Sequence, residues 1–476
     1  MLARREGDKV RGRRAIIIRD RRGLEITAGA AEAVARFDGA IAAYLAFRAD
    51  VGARLEAALE ADRDMPLALA TRGCFFKLFA TTALDGRARE SLEASKTAAD
   101  ARGATERELT HIAALEAWCG GDMAGAARLW ESILHDHPLD VLALRLALYI
   151  RFYLGDSAAL RDTVARVLPA WSEDTPGYGH VLADHAFGLE ETGDYAAAEV
   201  AGRRAIDIDP ADIWAAHAVA HVMEMQGRAR EGIAWIDGLA ENWSHCHNFF
   251  NHLWWHRALF HLALGEADAV LALYDERVRG DDSEEYLDLC NATSLLWRLE
   301  EEGIAVGDRW QVLAAIAARR LGNHVLAFTD THLMMALAAA GDSADAAKML
   351  DSFAAAARAA TTQAPVYCDV ALPLSHAILA ARAGDHGAAV ELLLPVRDEI
   401  QRLGGSHAQR DIFAQTLAAC ALADGRFELA RDLLSERMAA RPADRWGWSR
   451  TAVAHDGLGD RAGAGEARAK AEALVA

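Results

Sequence analysis

The stretch that decides the fold is "ETGDYAAAEVAGRRAI", residues 191–206. A Gly-Asp turn closes one helix, and an alanine-rich amphipathic run opens the next. Gly193 fits such a turn because a helix commonly ends on one left-handed residue, a conformation that costs little only without a Cβ. The alanines let the second helix pack closely on the first. The same pattern recurs in both directions, at "CGGDMAGAARLW" (119–130), "YLGDSAALRDTV" (153–164), "MQGRAREGIAWI" (225–236), "ALGEADAVLALYD" (263–275), "AAGDSADAAKML" (339–350), "ARAGDHGAAVELLL" (381–394), "ADGRFELARDLL" (423–434) and "GLGDRAGAGEARA" (457–469).

The turn glycines Gly121, Gly155, Gly193, Gly227 and Gly265 are spaced 34, 38, 34 and 38 residues apart. A gap of 76 to Gly341 leaves room for one degenerate copy near Gly303, and Gly384, Gly425 and Gly459 follow at 43, 41 and 34. Two helices per unit of about 34 residues is the tetratricopeptide-type period. One such unit cannot bury its apolar face, but a stack can. The expectation is an all-α chain of tetratricopeptide-type helix pairs, stacked in a right-handed superhelix with a concave inner groove. "DIDPADIWAA" and "RPADRW" read as unit boundaries. Strand signals are almost absent. Residues 105–476 form the repeat array, 23–104 degenerate helical pairs continuous with it, and 1–22 a basic N-terminal arm.

That arm holds nine Arg/Lys against three acids, while the whole chain carries a formal net charge of −19. The acidic balance argues against nucleic-acid partners and anionic membranes. "AIII" is too short for a signal-peptide core, and no apolar run reaches the length of a membrane span. The six cysteines are scattered without a CxxC pair, which reads as reduced thiols in a cytoplasmic protein.

More specific strings sit on this frame: "FGLEETGDY" (187–195), "HAVAHVMEMQGR" (217–228), "HLWWHRALFHLALGE" (252–266), "WRLEEEGIAVGDRW" (297–310), "FTDTHLMMA" (328–336), "DVALPL" (369–374) and "LGGSHAQRDIF" (403–413). With these, the chain resembles the tetratricopeptide repeat protein 38 family from roughly residue 20 to 460. The resemblance implies an all-helical repeat solenoid, usually regarded as soluble, and carries over no activity.

Residues 13, 10, 9, 6 and 3 before each turn glycine share one helix face. In related repeats that face lines the groove. It reads His180, Ala183, Asp184, Phe187 and Glu190 before Gly193. It reads Trp214, His217, Ala218, His221 and Glu224 before Gly227. It reads His252, Trp255, His256, Leu259 and Leu262 before Gly265. Before Gly341 it carries Phe328, Thr331, His332 and Met335, with Asp330 one step off. Arg145 and His111 share the face of earlier units. Nine of the eighteen histidines fall between residues 180 and 261, a concentration that makes chance scattering a poor account.

Three functions compete. The first is a groove for a small polar ligand or peptide, lined by His180, Trp214, His217, His221, Glu224, His252, Trp255, His256, Asp330, His332 and Arg410. The second is a metal-dependent, hydrolase-like enzyme. There His217, His221, His252 and His256 hold one divalent transition metal (zinc, iron or manganese), with Glu224 or Asp184 as the base. The third is a scaffold in which the histidines pack. A protein partner is compatible with any of them. The HExxH pattern is absent, since Ala218 follows His217. In "LGGSHAQRDIF", Ser406, His407, Gln409, Arg410 and Asp411 read as a structural cap or, less simply, an anion site on free amides. "GDDSEEYLD" (280–288) reads as a solvated acidic helix start. "ENWSHCHNFFNH" (241–252) reads as a linker, or a lid over the groove.

Overall fold

The computed structural model describes residues 16–475. From Ala31 onward the chain is helix pair after helix pair, starting with Ala31–Leu45 against Val51–Ala61 and Pro66–Leu78 against Asp85–Arg102. The pairs that carry the site are Tyr178–Glu190 with Tyr195–Ile208, Ile213–Met225 with Ala229–Leu239, Phe249–Ala263 with Ala267–Leu273, and Tyr286–Glu301 with Arg309–Arg319. The last of these is the degenerate copy expected near Gly303, whose φ of +79° closes its first helix. The Asp of the Gly-Asp turns caps the next helix by accepting the free amide of its third residue, as Asp194 does from Ala197 N at 3.2 Å.

The N-terminal expectation is corrected. Ile16–Arg19 and Glu25–Ala28 form an antiparallel hairpin pairing Ile16 with Ala28 and Arg19 with Glu25. A boundary at residue 22 therefore cuts through a structural unit. The β-branched Ile16, Ile17 and Ile18 favour a strand, and Asp20 closes the turn by accepting from Arg22 N and Leu24 N, both at 2.8 Å. The second strand is fastened to the repeats: Thr27 donates its amide and hydroxyl to Glu108 at 2.9 and 2.7 Å. Residues 1–15 of the basic arm lie outside the described residues. Ala364–Arg382 is long and apolar enough to cross a membrane by length and composition, contrary to the reading that no run is, but half of it is buried among the repeats. All six cysteines are free thiols.

The inner face is not an open groove. The C-terminal repeats cross it. Helix His407–Ala423 packs on Ile213–Met225 and Tyr286–Glu301. His407 donates its backbone amide to Glu191 at 2.9 Å, and Arg445 pairs with Glu302. At Gly155 a Cβ would stand 1.7 Å from the carbonyl oxygen of Gln401, so this turn glycine serves both its left-handed φ of +69° and a backbone-to-backbone contact. The closed face leaves His217, His221, His252 and His256 no more than 3% exposed.

Closure makes the turn glycines unequal. Gly384 has φ +79° and open space where a Cβ would go. Gly384→Ala is expected to cost about 1–2 kcal/mol, the left-handed penalty alone. Gly155→Ala adds displacement of the segment at Gln401 and should cost clearly more in urea unfolding; equal losses would contradict the crossing.

Candidate metal centre

His217 and His221 lie four apart on Ile213–Met225, and His252 and His256 lie four apart on Phe249–Ala263, so each pair shares one helix face. The two helices are the first members of consecutive repeats, and the pairs lie 35 residues apart, within one helical turn of the 38-residue spacing of their turn glycines. Stacking therefore brings the pairs face to face. His252 Nε2 lies 3.0 Å from His217 Nε2 and 3.3 Å from His256 Nε2. One nitrogen from each of the four rings falls within 4.8 Å of all the others. A tetrahedral ion with metal–nitrogen bonds of about 2.0–2.1 Å has nitrogen–nitrogen edges of roughly 3.3–3.4 Å. Two edges of this cluster are already near that length.

The surroundings hold the rings from behind. Glu224 Oε2 accepts from His256 Nδ1 at 2.9 Å, which leaves His256 Nε2 as a lone pair facing inward. Asn291 Nδ2 lies 3.0 Å from His252 Nδ1, and its Oδ1 is buried without a hydrogen bond. Amide oxygen and nitrogen exchange places by a half-turn. With Oδ1 toward His252, that ring also carries its proton on Nδ1 and points a lone pair inward. A carboxylate or carbonyl behind each imidazole is the usual support of a metal-binding histidine. Trp255 stacks on His252 at 5.2 Å and 13°, and Trp214 packs against His217 at 4.8 Å.

Electrostatics keep three rings neutral. Burial pushes His217 and His252 well below the ordinary imidazole range, and the neighbouring histidines add to the effect. Burial and His221 bring His256 down to about 4 against the pull of Glu224. Burial also acts on Glu224, but the His256 hydrogen bond, with Arg441, outweighs it and holds the carboxyl at about 2. His221 behaves differently. Burial lowers it, yet Glu190, whose Oε2 is 3.5 Å from its Nδ1, raises it overall. Neither the His221 nitrogens nor the Glu190 oxygens make a hydrogen bond of good geometry. Neutral imidazoles are the form a metal requires.

The other sequence candidates do not join this cluster. His180 Nδ1 meets Asp212 at 2.7 Å, and Asp212 caps Ile213–Met225 through Ala215 N at 3.0 Å. Asp184 pairs with Arg145 at 3.4 Å. His111 lies 3.0 Å from Asp140, which also accepts from Arg107. Asp330 accepts from His324 and from the Tyr367 hydroxyl at 2.8 and 2.6 Å. His332 Nδ1 donates to the Phe328 carbonyl at 2.8 Å. Arg410 spans the carbonyl of Gly405 and, at 3.5 Å, Glu191. Ser406 and Gln409 form a reciprocal capping box and Glu191 takes the His407 amide, so "LGGSHAQRDIF" is a cap in which the amides of Ser406, His407 and Gln409 are occupied. The stretch 280–288 is an acidic lead-in, exposed at Gly280, Asp281, Asp282 and Glu284, to the helix that starts at Tyr286, and only its last acid, Asp288, is buried, accepting from Ser283 and Asn248. Residues 245–247 bond to the turn at Phe47–Ala49, so 241–252 is a docked linker and not a lid.

Sequence reasoning missed Asn291, which lies twelve residues before the degenerate turn at Gly303 and so one step off the inner-face register. It also missed Arg441 and Arg298. Arg441 arrives from the C-terminal repeats and no local pattern marks it.

The fold is a tetratricopeptide-type solenoid. No protein-family model matches the chain. Similar solved structures include the human IFIT1 dimer with PPP-AAAA, at TM-score 0.40 and 14% identity over 87% of this chain and 95% of that one. Yeast Tom70 aligns at TM-score 0.34 and 15% identity over 93% and 95%. The P58(IPK) TPR domain aligns at 0.22 and 14% over 78% and 98%. Likeness of this degree carries nothing about ligands, and the fold stands on its own helix pairs.

Asp184 gives a pH test of the buried face. Burial raises its carboxyl to about 6, against Arg145 and with the help of Asp212. A carboxyl raised above its unfolded value of about 4 stabilises the fold fully below that value and loses the contribution as pH rises through 6. Asp184→Asn removes this loss. Its stability relative to wild type should improve by about 1–3 kcal/mol between pH 4 and pH 7 in urea titrations; a flat difference would contradict the assignment.

Proposed function

We propose that the protein is a metal-binding helical-repeat protein, with one divalent transition metal (zinc, iron or manganese) held by His217, His221, His252 and His256. The observation that carries this reading is the convergence of the His217, His252 and His256 Nε2 atoms, at 3.0 and 3.3 Å, in a buried interior. An imidazole nitrogen that close to another needs a proton or a cation between them. The Glu224 bond to His256 already assigns one ring's proton to the outer side. An ion held by all four imidazoles would be closed and would act as a structural tie between consecutive repeats, and only a three-histidine set would leave a position open for Lewis-acid chemistry.

A ligand set of imidazole nitrogens fits zinc and iron better than manganese, which prefers oxygen ligands. The hydrolase alternative lacks a base at the cluster, because Glu224 is hydrogen-bonded to His256 and Asp184 faces Arg145 across an ion pair of 3.4 Å away from the histidines. An extended peptide along the inner face is disfavoured by the crossing of the C-terminal repeats, whereas a small ligand remains compatible. Free thiols fit a reducing, cytoplasmic setting. We also assign the chain to the tetratricopeptide repeat protein 38 family, on the strings quoted above.

The test is elemental analysis of untagged protein purified without added metal. One equivalent of a transition metal is expected, and the double variant His217→Gln/His252→Gln should lose it. Metal-free wild type, with a double variant equally stable and folded, would reject the centre. A second expectation concerns Asn291→Leu, which should weaken metal affinity by about 10–100-fold while the protein stays folded. Unchanged affinity in a competition titration would remove Asn291 from the support of His252.

A further inference from the structure

Glu224 has two sides. One oxygen serves His256, and the other faces a pocket where the C-terminal repeats cross the inner face. Four arginines line this pocket, Arg298, Arg437, Arg441 and Arg445, against four carboxylates, Glu224, Glu302, Asp411 and Asp444. The charges balance in number but not in pairing. Arg437 takes Asp411 at 2.7 Å and Asp444 as well. Arg445 takes Glu302. Glu224 is engaged by His256, so Arg441 reaches it only at 3.4 Å and reaches Asp411 at 3.8 Å. Arg441 Nη2 is buried and makes no hydrogen bond.

Arg298 is the least compensated. It is 5% exposed, and its guanidinium donates only to two backbone carbonyls, Ser294 at 3.2 Å and Ala408 at 2.7 Å. It has no ion-pair partner among the described residues. Burial lowers its pKa to about 10, and Arg441 and Arg437 oppose the help of Asp411 and Glu224. A guanidinium taken out of water without a facing carboxylate is costly, and an oxyanion is the group whose geometry matches its fork.

We propose that this pocket binds a small oxyanion, the carboxylate or phosphate group of a small molecule, between Arg298 and Arg441. Glu224 separates it from the histidines, so the anion lies beside the centre and not on it. The site deepens the small-polar-ligand reading and does not require that a metal be bound.

The test uses the full-length protein. Inorganic phosphate, acetate and oxalate are titrated by calorimetry at constant ionic strength into wild type, Arg298→Met and Arg441→Met. Wild type should bind at least one oxyanion saturably at one site, and Arg298→Met should bind it more than about tenfold more weakly. Binding of phosphate alone would mark a phosphate site, and of acetate or oxalate alone a carboxylate site. No saturable binding of any probe to wild type, or equal affinity in both variants, overturns the proposal. If Arg298→Met does not fold, Arg441→Met decides alone, since that side chain is 13% exposed and nearer the rim: a tenfold loss supports the site and an unchanged affinity rejects it. Metal content measured on the same samples keeps failure of the histidine centre distinct from failure of this pocket.

Discussion

Closing a repeat superhelix over its own inner face takes polar side chains out of water, and the rest of this structure depends on how they are then satisfied. In an open solenoid, histidines and carboxylates on the first helices stay hydrated at no cost. Here they are buried, and an unsatisfied buried polar group is expensive. The chain answers with pairs drawn from different elements: Glu108 to Thr27, Asp212 to His180, Asp184 to Arg145, Glu224 to His256. Each carboxylate comes from a different element than its partner, so these contacts also fix how one element sits on the next.

The four-histidine cluster is one place among the described residues where this pairing is incomplete. Its rings have more nitrogen atoms than the protein has partners for. His217 Nδ1 and both His221 nitrogens are buried without a good hydrogen bond. Burial and mutual repulsion keep His217, His252 and His256 from becoming charged. A cation resolves both problems at once, because it uses lone pairs that have nothing else to accept. The same reasoning applies on the far side of Glu224 with the sign reversed, where Arg298 is a buried cation without an ion-pair partner among the described residues.

The fold was legible because its information is local and periodic. A turn glycine, a small-residue helix and a period near 34 recur often enough to reveal even the weak copy at Gly303. The histidine pairs were legible for the same reason: i, i+4 spacing sets the face, and the repeat offset sets the neighbour. What was not legible is non-local. Nothing in the period says that Gln401 will lie against Gly155, or that Arg441 will reach Glu224. The hairpin at Ile16–Ala28 escaped because each strand has only four residues. His180, His332 and Arg410 each have a nearer partner than the cluster.

The central claim is that three or four imidazole nitrogens share one ion inside a closed solenoid. X-ray absorption at the metal edge of the purified protein tests it most directly. The account predicts a shell of nitrogen neighbours at about 2.0–2.1 Å for zinc, with the outer-shell scattering of imidazole rings. A protein that carries no metal, or whose metal shows sulfur or oxygen neighbours without imidazole, would contradict it.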